Sequence, residues 1–218
     1  MVGVALAAMA GLGTYWLVVR PWHLRWGATD EEVHGTLPGD ELVAGAEQQV
    51  THAITINASA DRIWPWLVQM GQGRGGFYSY DRLESLFGLQ IKNADRIRPE
   101  LQDLKQGHFV RGAPPEWLGG RLAGKAGWHV VVLESDRALV LRSPMDNSTW
   151  AFVLKAIDSN TTRLLARVRV PARSRWATRA LDLAVAEPAH FIMERKMLLT
   201  LKRLVEGTHR PTAPPIAV

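Results

Sequence analysis

Five short runs rich in Val, Leu, Ile, Trp and Phe follow one another in the second half of the chain. They are His108 to Arg111, His129 to Glu134, Ala138 to Arg142, Thr149 to Ile157 and Thr162 to Val170. Turn residues part them at Ser135-Asp136, Pro144 to Asn147 and Asp158 to Asn160. Neighbouring runs lie close together, which indicates an antiparallel meander, because a parallel pair needs a long crossover. An antiparallel sheet with an apolar inner face must be covered by another layer.

The rest of the chain supplies that layer. From Gln48, residues Val50, His52, Ile54 and Ile56 alternate with Thr51, Ala53 and Thr55, which marks a further strand. Ser59 is placed to cap a helix over Ala60 to Met70, which Pro65 must kink or shorten. A glycine-rich loop, Gly71 to Gly76, leads into a second short helix around Ser79 to Phe87. The chain ends in a long helical stretch from Ser174 to Val205, interrupted at Pro188, on which Met193, Met197, Leu201 and Leu204 form one stripe. Gly207 ends it, and residues 207–218 read as a disordered tail. Two short helices cannot fill the far end of such a sheet, so a cavity between sheet and long helix is expected.

Four strings carry a family resemblance: ITINASADRIWPWLVQMGQGRGGFYSYDRLESLFG, NADRIRPELQDLKQGH, WAFVLKAIDSNTTRLLARVRV and EPAHFIMERKMLLTLKR. With the element order, they resemble the SRPBCC group of helix-grip proteins, which includes START-like, birch-pollen-allergen-like and polyketide-cyclase-like members. The resemblance covers residues 48–206. It implies an α+β helix-grip fold, with a curved antiparallel sheet of about six strands wrapped on a long C-terminal helix and two short helices after the first strand. It also implies an apolar pocket, used across the group for lipids, sterols or polyketides and in some members for cyclisation.

Residues 1–19 carry no charged side chain, and 19 residues of helix span about 28 Å, close to the hydrocarbon core of a bilayer. Tyr15, Trp16, Trp22 and Trp26 cluster at the end of this run, and Arg20, His23 and Arg25 follow. The run lacks the basic n-region and cleavage site of a signal peptide, and its glycines and lack of a polar face make a poor amphipathic core helix. It reads as one N-terminal transmembrane helix, a membrane partner through residues 1–19, with the domain on the cytoplasmic side by the positive-inside rule. Residues 20–47 hold Pro21, Gly27, Gly35, Pro38, Gly39 and Gly45 among mixed charges and read as a linker or irregular wrap.

The 218 residues include no cysteine, which excludes disulfides, thiolate metal sites and Cys nucleophiles. The net charge of +5 comes from Lys and Arg spread through the chain, with no nucleic-acid signature, so no nucleic-acid partner is expected. Gly71 to Gly76 satisfies G-x-G-x-x-G, and Asp95 follows at nineteen residues, but a dinucleotide site needs a preceding strand and a parallel βαβ unit. No cofactor or metal is expected, and the loop reads as a flexible pocket rim.

His190 shares the helix face assigned to the pocket, with Glu187 and Glu194 at helical spacing. It is a candidate general base or ligand-orienting group, or else a histidine satisfied by a neighbour. Glu187-x-x-His190 is half of a di-iron motif without the other carboxylates. Tyr78, Tyr80, Asp81 and Glu84 form a polar cluster that is either acid-base machinery or a salt-bridged loop. The candidate catalytic residues are His190, Tyr78, Tyr80 and Asp81. The candidate ligand contacts are Trp64, Tyr78, Tyr80, Trp150, Phe152, His190, Met193, Met197 and Leu201. Arg173, Arg175, Trp176 and Arg179 are read either as a membrane-facing helix start or as a solvated one. Three functions fit: binding of a lipid or other hydrophobic small molecule, an enzyme of the polyketide cyclase or dehydratase type, or a pocketless membrane-tethered interaction module.

Overall fold

Period-two alternation and short turns produce the six-stranded antiparallel sheet of the structure, a computed structural model that describes residues 9–11, 13–81, 85, 88–172 and 185–207. The strands are β1 (Gln48–Ile56), β2 (Phe109–Arg111), β3 (Gly127–Glu134), β4 (Ala138–Arg142), β5 (Thr149–Asp158) and β6 (Thr161–Val170). Their order across the sheet is β1-β6-β5-β4-β3-β2, so β2 to β6 form the meander and β1 closes against β6. Irregular pairing at Val130/Val132 and at Ala156/Asp158 marks bulges, which bend the strands that hold them.

Register fixes what each face shows. Val50 pairs with Val168, which pairs with Trp150, which pairs with Leu141, so these four side chains share one row of the inner face. The next row holds His52, Ala166, Phe152 and Leu139. Above them lies the C-terminal helix, which runs over Glu187–Gly207. It buries Met197, Leu198, Leu201 and Val205, each worth about 1.5–3 kcal/mol when taken from water, and with them Glu187 and Glu194. Pro188 is the second residue of this helix, directly after the π-type residues 185–186; the expected stretch before them, from Ser174, lies outside the described residues. Leu204 of the expected stripe is only half-buried, and Leu198 and Val205 take the deeper positions.

The helix after β1 covers Ala60–Val68 with Pro65 inside it. Ser59 has the extended backbone of a cap residue, but its side chain makes no capping hydrogen bond. The second short helix, around Ser79 to Phe87, lies largely outside the described residues, as do the arginine-rich start of the long helix and the tail. The glycine loop is folded on itself by paired backbone bonds of 3.0 Å between Gly71 and Gly76. It follows a helix, so no dinucleotide fold surrounds it.

Residues 20–47 are ordered against the sheet instead of forming a loose linker. They hold α1 (Arg20–Leu24) and α2 (Asp30–His34), so the helix after β1 is α3 and the C-terminal helix is α4. Thr29 and Glu32 make a reciprocal capping box at the start of α2. Leu37 packs with Ala53, Ala138, Val153 and Leu165 on the sheet's outer face. Three arginines on alternate β6 positions fasten this wrap. Arg163 forks onto Glu32 at 2.7 and 2.8 Å, and Arg169 donates to Val43 O. Arg167, 1% exposed, donates to Asp40, to Thr51 and to the carbonyls of Glu32, Val33 and Gly35. Gly39 permits the close approach: at φ +89° a Cβ there would lie 2.6 Å from Val140 Cγ1.

Among the described residues no helix is long and apolar enough to cross a membrane. Residues 1–8 and 12 of the expected span lie outside the described residues. Its described part ends in a π-type turn, Tyr15–Val19, running into α1, where Arg20 and His23 turn inward to the domain.

Candidate functional site

Two buried carboxylates on α4, Glu187 and Glu194, face an otherwise apolar interior, with His190 between them. Glu187, His190 and Glu194 lie at i, i+3 and i+7, so one helix face carries all three. A buried carboxylate must be paired and hydrogen-bonded, and Glu194 is both. Its Oε1 accepts the Trp150 indole N–H at 2.6 Å, and its Oε2 meets Nδ1 of His52 from β1. The other nitrogen of His52 donates to the His23 carbonyl at 2.7 Å. His52 is thereby held on both ring nitrogens, between the Glu194 carboxylate and the His23 carbonyl.

His190 is held more loosely. Its Nε2 lies 3.5 Å from Glu194 Oε1, is buried, and makes no hydrogen bond, while a third of the side chain remains exposed. Burial works against the charged imidazole, but the Glu194 carboxylate outweighs it and raises the His190 pKa above its ordinary value. Burial likewise opposes ionisation of Glu194, and His190 and His52 outweigh it, holding the carboxyl below the usual range. One helical turn earlier, Glu187 receives Arg20 at 3.0 and 2.9 Å and Gln48 at 2.6 Å. His23 approaches Glu187 at 3.4 Å without a hydrogen bond on either nitrogen, and its own burial lowers its pKa.

Glu194 and His190 form the polar end of a cavity of about 170 Å³. Its other walls are mainly apolar: Phe77, Ile91, Trp128, Trp150, Met193 and Met197. Leu89, Gly112 and Trp128 also line a surface groove of about 840 Å³, which places the groove at the cavity's mouth. Among the described residues no group of three or more His, Asp or Glu is arranged to hold a metal ion.

The structure sorts the candidate residues. Trp150, His190, Met193 and Met197 meet in the cavity. Phe152 and Leu201 are fully buried in the core, with the Phe152 ring tilted at 52° and 4.8 Å from that of Trp150. Trp64 is half-buried at the core's edge, and its neighbour Trp66 is the enclosed ring. Tyr78 is a structural residue: fully buried at φ 57°, it donates to Trp66 O and accepts from Gln69, and burial raises its pKa. Tyr80 is exposed beneath Lys196, and Asp81 accepts from Asn93 at the surface. The tyrosines and Asp81 therefore do not share a cavity with His190. Sequence reasoning did not single out His52, although its place in the inward column with Val50, Ile54 and Ile56 was the signal. Phe77 and Trp128 carried no such signal.

No protein-family model matches the chain, and no curated protein matches it. Solved structures do. A Mesorhizobium loti protein is 15% identical at a TM-score of 0.44, over 75% of this chain and 100% of its own. A Bacillus halodurans protein is 12% identical at a TM-score of 0.44, over 73% and 98%. DynU16, from the dynemicin biosynthetic locus, is 12% identical at a TM-score of 0.41, over 74% of this chain and 48% of its own.

Proposed function

We propose that this protein binds an uncharged, largely apolar small molecule between its sheet and its C-terminal helix. The observation that carries this reading is the cavity itself, apolar on most sides with one polar end at His190 and Glu194. Sites of this composition recur in ligand-binding proteins. The volume of about 170 Å³ is below the ~300 Å³ typical for drug-sized ligands and near the ~150 Å³ that takes benzene. A ring-sized group fits it, whereas a lipid chain would have to lie mainly elsewhere. Native mass spectrometry of the full chain after gentle purification, followed by organic extraction, tests the reading. A bound ring-bearing molecule supports it. An empty protein that also fails to bind benzene would favour the pocketless interaction module.

A second reading follows from His190. A histidine of raised pKa beside a carboxylate, with part of its ring at a cavity wall, is an acid-base group awaiting a substrate. A cyclase or dehydratase would rely on His190 alone, because Tyr78, Tyr80 and Asp81 lie outside the cavity. A His190→Ala variant that still binds ligand but loses turnover would support this enzyme; unchanged turnover would remove it.

Membrane attachment through the N-terminal segment is proposed on separate grounds. Trp16, Leu17, Val18 and Trp22 are exposed, Leu17 at 80%, and they continue a stretch without charge. Sedimentation with liposomes, retained by the full chain and lost on Leu17→Glu with Val18→Glu, is the expected outcome; equal sedimentation of both would end the proposal.

A further inference from the structure

A second cavity, of about 130 Å³, lies on the other side of His190. It is lined by Gln48, Val50, Val168, Ala186 and Glu187, and His190 is the residue it shares with the inner cavity. The sheet register explains the adjacency. Val50, Val168 and Trp150 form one cross-strand row; the first two floor the second cavity and Trp150 walls the first. His190 sits above this row, with its ring centroid 6.1 Å from that of Trp150.

Nothing in the hydrogen bonding requires the ring to stay there. Glu194 is satisfied without it, by the Trp150 N–H and by His52. Nε2 of His190 meets Glu194 only at 3.5 Å and without a geometrically sound hydrogen bond, so swinging the ring gives up that electrostatic contact and no tight hydrogen bond. We infer that the two cavities are halves of one elongated binding site, parted by the His190 ring, which takes an uncharged ligand with that ring swung aside. The inference rests on the proposed binding function and extends it to the length of the ligand.

Length follows from the volumes, which together reach the ~300 Å³ at which sites for drug-sized ligands begin. Two carboxylates stand at the ends. Glu194 is already matched by His52, and Glu187 by the bidentate Arg20 with Gln48. A cationic ligand would have to displace the hydrogen-bonded partners that these carboxylates already hold. A neutral molecule with a ring at one end and a short apolar extension fits both halves.

The test uses benzene and n-butylbenzene as probes, titrated calorimetrically into the full chain and two variants. In the wild type, butylbenzene binds more than tenfold tighter than benzene, as four further methylenes leave water. Ala186→Trp fills the second cavity from an exposed position, so it removes that gain and leaves benzene affinity within about twofold. His190→Ala removes the partition, so butylbenzene binds at least as tightly as in the wild type. If Ala186→Trp and wild type bind butylbenzene equally, the tail runs into the surface groove instead and the inference is wrong. Loss of butylbenzene binding in His190→Ala makes the ring a contact and not a partition, which also overturns it. Should benzene itself fail to bind the wild type, the proposed function falls and this inference with it.

Discussion

On the outer face of the sheet, Arg163, Arg167 and Arg169 reach across to Glu32, Asp40 and a set of backbone carbonyls in residues 27–43. On the inner face, the charge belongs to Glu194, which is held by Trp150 and His52 and approached by His190. Both faces bury ionised groups, yet they use them differently. The arginine forks are filled by partners from the wrapping chain, and their work is to fasten that chain to the sheet. Glu194 and His190 border empty space, so part of their hydrogen-bonding and electrostatic capacity remains for something that is not protein. Buried charge alone does not mark a binding site; buried charge beside a cavity does.

The sharpest way to test the fastening face is Arg167→Ala. It removes the guanidinium, 1% exposed, from Asp40 and from the carbonyls of Glu32, Val33 and Gly35, leaving Asp40 the Leu37 N–H and Val33 O the Gln49 amide. Breaking a buried pair costs about 3–5 kcal/mol, and the number of partners places this variant near the upper end. Denaturant unfolding should show that loss, with protease cleavage moving into residues 27–43. A loss below about 1 kcal/mol would mean that the wrap is held by Leu37 and Val43, not by the arginines.

The cavity face answers to Glu194. Glu194→Ala strands the Trp150 N–H and Nδ1 of the buried His52, at a cost of about 3 kcal/mol. Glu194→Gln is different, because an amide can accept from Trp150 and donate to Nδ1 of His52, while His52 Nε2 still donates to the His23 carbonyl. Its cost should be about 1 kcal/mol. The same variant removes the carboxylate that raises the His190 pKa, so NMR titration should show His190 falling below its wild-type value. If Gln destabilises as much as Ala, the protons in this cluster are not where the hydrogen bonds place them.

These two faces were not equally readable beforehand. The strands were legible because antiparallel alternation is a local signal, and Ala138–Arg142 coincides with its expected bounds. His190, Trp150, Met193 and Met197 followed from helical and strand periodicity. Residues 20–47 left a linker and an irregular wrap open, because Gly27, Gly39 and the surrounding charges fit both until the arginines of β6 are placed opposite them. Tyr78 is a related case. A tyrosine beside other polar residues suggests chemistry, and only its bonds to Trp66 O and Gln69 show that it closes the core. His52 stood in an apolar column without a visible partner, since Glu194 lies 142 residues away.

The smallest effect joins the cavity to the N-terminal segment through pH. His23 faces Glu187, Arg20 and the His52 ring, and burial is the largest influence lowering its pKa. A lowered histidine pKa favours the folded state above the ordinary value of 6.5 and loses that contribution as pH falls through the folded value. His190 has the opposite sign. Its raised pKa stabilises the fold below 6.5, and that contribution is lost as pH rises through the folded value. Stability should therefore pass through a maximum near pH 6.5, with each limb belonging to one histidine. Thermal unfolding across pH 5 to 9 should show His23→Gln flattening the acid limb, with Glu194 remaining to act at lower pH, and His190→Gln flattening the alkaline limb. Two variants that flatten the same limb would show that His23 and His190 titrate as one cluster through Glu187 and Glu194. The separation of the N-terminal dock from the cavity wall would then be lost.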